Sequence, residues 1–319
     1  MTSRRIDEGS SGVFVIAATP FSEDGRLDLE STDSLIDFYL DAGADGLTIL
    51  GIMGEAQKLS ADEAREFTVR VLSRVAGRVP VIVGVSSPGL RGIQDLSQFA
   101  IQEGAAGVMI APVPGLQGDE AVERYLSLAF EAAGADTPIC LQDFPPVNGV
   151  HIPVYTVNAL TKRFSNLVMF KHEDSPGLNK LSRLRADAAK DGNRRLSILV
   201  GNGGIFLPHE LDRGADGAMT GFAFPEMLAS VCRHIKKGNR SAAYDVFDSF
   251  LPLVRYEQQP GHGLVIRKEI LRRRGAIKTA AVRSPGPTLT QRDKEEIDWL
   301  ISRLPSAARS ILIHTKGLE

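Results

Sequence analysis

"AGADGLTIL" (residues 42–50), "EGAAGVMIA" (103–111) and "RGADGAMTG" (213–221) share one pattern. In each, a helix runs out on a glycine, the chain turns, and an apolar strand begins, which is the usual chemistry of a helix-to-strand connection. Outward from these stretches the sequence keeps alternating. Apolar strand-like runs stand at "VFVIAATPF" (13–21), "DGLTILG" (45–51), "VPVIVGVS" (79–86), "GVMIAPV" (107–113), "TPICLQDFP" (137–145), "LVMFKHED" (167–174), "LSILVGNGG" (196–204) and "DGAMTGF" (216–222). Such runs, bounded by polar groups, read as strands of a parallel sheet covered on both faces. Between them lie amphipathic segments at 29–42, 61–76, 93–103, 120–133 and 178–190, and Ser60 with Glu63 forms a capping box at the start of the second.

Eight βα units completed by Phe224 predict a (β/α)8 TIM barrel. A doubly wound open sheet is the alternative, but no Gly-rich dinucleotide turn follows the first strand. After about Gly238 the strands stop, and three further helices are expected in 240–257, 263–277 and 290–304. The expected organisation is a barrel over 1–237 that carries the active site, and a C-terminal helical extension over 238–319, packed on the barrel or between subunits.

The composition suits a large globular chain: 319 residues, 43% hydrophobic and 24% charged. A formal charge of −2 offers no electrostatic reason to expect nucleic acid or an anionic membrane as partner. Cys140 and Cys232 are the two cysteines, too few and too far apart for a disulfide framework, so a reducing compartment is expected. The start "MTSRRIDEGSSG" has no apolar core behind its arginines, and no run is long enough to span a bilayer, so the expected location is cytoplasmic.

In a (β/α)8 barrel the site forms at the C-terminal ends of the strands. That rule selects Thr19, Met53, Gly54 and Glu55 in "GIMGE" (51–55), Ser86, Gln142 and Asp143, Lys171 and Glu173, Gly203 in "GNGG" (201–204), and Thr220. Lys171 is the unusual one, because lysine is rarely buried and here it ends the apolar run of "NLVMFKHED" (166–174). Side chains alternate along a strand, so Met169, Lys171 and Glu173 share one face while Phe170 and His172 share the other. A lysine in the barrel mouth loses hydration, which favours its neutral amine, a nucleophile able to form a Schiff base with a ketone. The competing reading is an ion pair between Lys171 and a barrel carboxylate, and the residues by themselves leave the two open.

Across residues 12–290 the order of motifs resembles the dihydrodipicolinate synthase and N-acetylneuraminate lyase superfamily of class I aldolases. The likeness rests on "TPF" (19–21), the Gly-x-x-Gly-Glu of 51–55, Pro145 with Gly149, and the sixth-strand Lys171. It implies a homo-oligomeric barrel, a tetramer or dimer, with a Schiff base between Lys171 and a small-molecule 2-oxo acid and with no metal or organic cofactor. The chain departs from that pattern at informative places. The usual Gly-Thr-Thr-Gly-Glu reads Gly-Ile-Met-Gly-Glu, Gln142 stands where a relay tyrosine is usual, and Pro114 where a second would fall. Gln142 can donate and accept hydrogen bonds but cannot exchange protons.

"LQDFPPVNG" (141–149), "FKHED" (170–174), "GADGAMTG" (214–221) and the C-terminal "YEQQPGHGLVIRKEILRRRGAIKTAAVRSP" (256–285) are similar to the 2-keto-3-deoxyarabonate type of sugar acid dehydratase. That likeness implies Lys171, Glu173 and Gln142 as the catalytic group, Glu173 moving protons, with Gln142 and Asp143 positioning hydroxyls. The alternatives are pyruvate-dependent aldol chemistry, including the synthase reaction, and a keto-acid-binding barrel without catalysis.

Other features have plainer expectations. Glu55 reads as a buried carboxylate bonding the amides of its own turn, with lining the site as the second reading. "GNGG" reads as a turn of close approach, with Gly203 near substrate. His172 should point outward toward the helices, and "HED" lacks metal-site spacing because strand neighbours face opposite ways. Cys140 reads as a small buried hydrophobe. "RKEILRRRG" (267–275) reads as a solvated helix face, and Arg283 as a residue at a pocket or subunit contact.

Overall fold

The computed structural model describes residues 5–190 and 192–313. Eight parallel strands, β1 (Gly12–Ile16), β2 (Gly46–Ile49), β3 (Val81–Gly84), β4 (Gly107–Ile110), β5 (Ile139–Asp143), β6 (Leu167–His172), β7 (Ser197–Val200) and β8 (Gly217–Thr220), pair in sequence order and close into a barrel through β8 and β1. Every expected strand is present, and the open-sheet alternative is excluded by that closure. The strands are shorter than the apolar runs because several runs continue into buried loops at the mouth. The first shows this well, with β1 ending at Ile16 while Ala17 to Phe21 remain buried.

Alternation divides the apolar residues into two cores. Phe14, Ile16, Ile82, Met109, Cys140, Met169, Leu199 and Met219 fill the barrel interior, with Ile6 packed among them from the N-terminal segment. The opposite strand faces, including Val15, Leu47, Val83, Leu141 and Phe170, pack against the surrounding helices in a much larger layer. Large and small residues meet inside: a Cβ on Gly46 would lie 2.4 Å from the Phe14 ring, and one on Gly107 2.7 Å from Ile6.

The repeated "GADG" now has a physical reason. The Asp45 amide donates to the Val13 carbonyl (2.8 Å) and its carboxylate accepts the Val13 amide (2.8 Å), tying the entry of β2 to β1. Asp216 makes the same pair of bonds with Ile198, both 2.8 Å, tying β8 to β7, and also accepts from Arg185 and Arg195. In the middle repeat Ala106 keeps only the backbone bond, to Val81.

The C-terminal helices stand at Arg240–Glu257, Gly263–Arg273 and Gln291–Ser302, as expected, with one further turn at Ser306–Arg309. The basic run is not a solvated face. Arg267, Lys268 and Arg274 are fully or almost fully buried, and each reaches a carboxylate: Glu257, Glu55 and Glu226. Sequence spacing could not reveal this, because Glu55 and Glu226 come from distant segments and Glu257 from the preceding helix. Among the described residues no helix is long and apolar enough to cross a membrane.

Asp216→Ala strips the buried Ile198 amide of its side-chain acceptor and two guanidinium groups of their carboxylate partner. It should cost about 2–3 kcal/mol of stability, measurable as a lower urea midpoint; an unchanged midpoint would show that the carboxylate is dispensable.

Candidate active site

The strand period places the key side chains. Gln142 and Lys171 are register partners on adjacent strands, and both point into the mouth, with Glu173 one step further along the same face. The Lys171 ammonium lies 3.0 Å from Glu173 Oε2, and Gln142 Nε2 donates to that same oxygen at 2.7 Å. All three are about 95% or more buried. The ion pair foreseen as the competing reading is therefore present, and it is what a resting nucleophilic lysine with its proton acceptor beside it would also look like. In such a confined site the pair is held by geometry, with Gln142 fixing which carboxylate oxygen faces the amine.

The "GNGG" loop is a turn of close approach, and its partners are side chains of this chain. A Cβ on Gly201 would lie 2.1 Å from Glu173 Oε1, and one on Gly203 2.0 Å from Gln258 Nε2. Glycine there leaves room for the Glu173 carboxylate and for a glutamine that follows the 240–257 helix. Thr220 belongs to the same support: its hydroxyl accepts the Gly203 amide at 2.8 Å. Asn202 donates from its side chain to the Glu173 carbonyl (3.2 Å).

Met53, Gly54 and Glu55 stand in the loop after β2, and Thr19, in the loop after β1, braces it. The Thr19 hydroxyl donates to the Gly54 carbonyl (2.5 Å), and Met53 packs on the interior cluster. Glu55 neither bonds the amides of its own turn nor lines the mouth. Its Oε1 accepts Lys268 (2.6 Å), and its Oε2 accepts Lys58 (2.9 Å) and the Arg283 amide (3.0 Å). Arg283 is spent inside the chain as well: it pairs with Glu63 (2.6 Å) and stands 4.4 Å from the centre of the Phe21 ring. Among the described residues, three of the four non-glycine residues with positive φ, Leu50, Glu55 and Asn202, lie in mouth loops. Strained backbone of this kind persists where its surroundings over-determine it.

Asp143 does not join the mouth. It lies on the outer face of β5, paired in register with His172, and its Oδ2 takes the ammonium of Lys180 at 2.6 Å. Lys180, missed in the sequence because it lies on a helix, also reaches Asp174 (3.0 Å). His172 points outward as expected, stacked on Phe170 and within 3.0 Å of the Gly177 carbonyl oxygen. Cys140 sits inside the barrel, and burial pushes its thiol up to about 12. Among the described residues no group of three or more His, Cys, Asp or Glu side chains could hold a metal ion.

Beside Gln142, a cavity of about 410 Å³ opens among the loops that follow β2 to β5. Ser86 lines it, its hydroxyl oxygen accepting the Ala111 amide at 2.8 Å.

Related proteins share this fold. The Dihydrodipicolinate synthetase family model matches residues 9–304. The chain belongs to that family. The L-2-keto-3-deoxyarabonate dehydratase of Azospirillum brasilense is 32% identical over 302 residues, covering 92% of this chain and 94% of that one. A 4-hydroxy-tetrahydrodipicolinate synthase of Thermus thermophilus is 32% identical over 231 residues, 72% of this chain and 75% of that one. Among solved structures, a dihydrodipicolinate synthase from Rhodopseudomonas palustris superposes with a TM-score of 0.93 at 46% identity, covering 95% of this chain and all of the other. The chain is accordingly an enzyme of a lyase family.

Two variants test the supports. Lys268→Met leaves Glu55 with part of its charge unpaired in the interior, and should destabilise by about 3–5 kcal/mol; an unchanged melting temperature would show that Lys58 and Arg283 suffice. Glu210, on the helix Leu207–Asp212, is buried and its carboxyl is pushed up to about 8, first by burial and then by the charge of Glu173. The native state keeps this proton where the unfolded chain has lost it, so stability falls as pH rises from the ordinary 4.5 through about 8. Glu210→Gln should remove that slope, raising the melting temperature at pH 9 relative to the parent and leaving it nearly unchanged at pH 4. Equal gains at both pH values would assign the effect to packing instead.

Proposed function

We propose that the protein is a Schiff-base lyase that dehydrates a 3-deoxy-4-hydroxy-2-oxo acid of the 2-keto-3-deoxy sugar acid class. The observation that carries this reading is the buried group Lys171–Glu173–Gln142 at the C-terminal end of the barrel. Lys171 must lose a proton before it can attack, and Glu173 Oε2 lies 3.0 Å away to take it. The amine adds to C2 of the substrate, and loss of water yields a protonated Schiff base, an electron sink next to C3. Removal of a proton from C3 gives the enamine. The electron pair then expels the C4 hydroxyl, which leaves with a proton as water. Hydrolysis of the resulting unsaturated imine frees Lys171 and a product lighter by one water, with no carbon lost.

Glu173 is the group placed for these proton transfers, because Gln142 lacks an exchangeable acid and the Cys140 thiol is pushed up to about 12. Aldol chemistry uses the same imine and is the second reading, supported by the synthase relative. Dehydration is favoured by the likeness to the Azospirillum dehydratase over almost the whole chain, and by Gln142 at the mouth position where the synthase pattern has a proton-relaying tyrosine. The chain is further proposed to work as a homo-oligomer in the cytoplasm, without a metal or organic cofactor.

Borohydride reduction in the presence of pyruvate or a 2-keto-3-deoxy sugar acid should add the mass of the reduced adduct to Lys171 and to no other lysine. Lys171→Ala should lose the adduct and all turnover while keeping its circular dichroism spectrum. Glu173→Gln should still be trapped, with kcat lowered about 10²–10⁴-fold. Release of pyruvate from a sugar acid would favour aldol cleavage, and absence of any adduct would leave Lys171 an ion-pair partner only.

A further inference from the structure

Glu173 is held from two sides. Its Oε2 faces Lys171 and accepts Gln142. Its Oε1 turns to the loop after β7, where the backbone amide of Asn202 donates to it at 3.4 Å. The fit there is close, since a Cβ on the neighbouring Gly201 would meet the same oxygen at 2.1 Å. Asn202 reaches Glu173 a second time, its side-chain amide donating to the Glu173 carbonyl at 3.2 Å. One residue thus grips both the carboxylate and the main chain of another. The turn that presents Asn202 is itself tied down: the Gly201 amide donates to the His172 carbonyl (3.0 Å), and the Gly203 amide to the Thr220 hydroxyl (2.8 Å).

Backbone conformation alone does not account for an asparagine at this place. Residues 202–204 are consecutive left-handed positions, with φ of 51, 64 and 77°, and glycine fills the other two. Glycine would adopt the first of these with less strain, because it carries no Cβ. Asparagine tolerates the left-handed region and adds a side-chain donor. That donor is used, and it is used on the residue placed for proton transfer.

We propose that Asn202 is the positioning residue for Glu173, holding the carboxylate so that Oε2 keeps facing Lys171 while protons pass. Its side chain pins the Glu173 main chain and its amide pins Oε1, which leaves Oε2 as the oxygen turned to the reacting atoms. The inference rests on the reading of Glu173 as the proton-transfer group, and its test separates the two.

Exchange of the pyruvate methyl protons with D2O, followed by NMR, reads imine formation and proton removal at C3 without any leaving group. Asn202→Gly keeps the left-handed backbone and loses the side-chain bond. It should slow exchange at least about tenfold, while borohydride trapping of Lys171 stays at the parent's extent. Added to Glu173→Gln, it should slow exchange no further than Glu173→Gln alone, because a residue that acts through Glu173 then has nothing left to position. Parental exchange in Asn202→Gly, or equal slowing in both backgrounds as a purely structural role would give, overturns the proposal. Absence of trapping in the parent, or parental exchange in Glu173→Gln, would refute the underlying reading instead. A crystal structure of Asn202→Gly then decides the clasp: Glu173 Oε2 turned out of hydrogen-bond reach of Lys171 supports it, and the parental contact overturns it.

Discussion

Closure of the barrel is the constraint from which the rest follows. Once β8 pairs with β1, with Gly12 against Gly217 so tightly that a Cβ on Gly217 would lie 1.9 Å from the Gly12 carbonyl oxygen, no strand has a free edge. Every side chain must then point either to the interior or to the helices. The interior fills with Phe14, Met109, Met169 and Met219, and above that filling there is room for a few polar groups only. Lys171, Glu173 and Gln142 take that room because they are the next inward positions on β5 and β6.

Their burial makes them depend on one another. An ammonium and a carboxylate shut away from water are tolerable as a hydrogen-bonded pair, and removing either strands the other. The arrangement also suits the chemistry proposed for them, since the Lys171 nitrogen faces a carboxylate oxygen 3.0 Å away. The outward side of the same two strands repeats the theme with Asp143, Lys180 and Asp174, yet there the charges serve to dock a helix. Two carboxylate–lysine groups separated by one sheet thus have different roles, decided by which face they occupy.

The C-terminal helices act as a clamp on the mouth. Arg267 bonds the Gly221 carbonyl (2.7 Å) at the end of β8, and Lys268 grips Glu55 at the end of the loop after β2. The loop after β2 carries left-handed backbone at Leu50 and Glu55, so it needs external support to keep one conformation. The extension is therefore part of how the mouth holds its shape, even though Lys171 lies in the barrel itself.

Period and punctuation alone determined the eight strands, the helices of the extension and the inward face of β6 that Lys171 shares with Glu173. Those are local matters: side-chain alternation and helix-ending glycines act over a few residues. Strand ends were drawn too long because buried mouth loops are as apolar as strands. Only the tertiary structure decided that Glu55 answers to Lys268 across 213 positions, that Arg267 and Arg274 are buried, and that Asp143 faces the helices. It alone decided, too, that the glycines of "GNGG" make room for Glu173 and Gln258. Each of these depends on which distant segment supplies the partner charge or the intruding side chain, and no pattern within a single stretch records that choice.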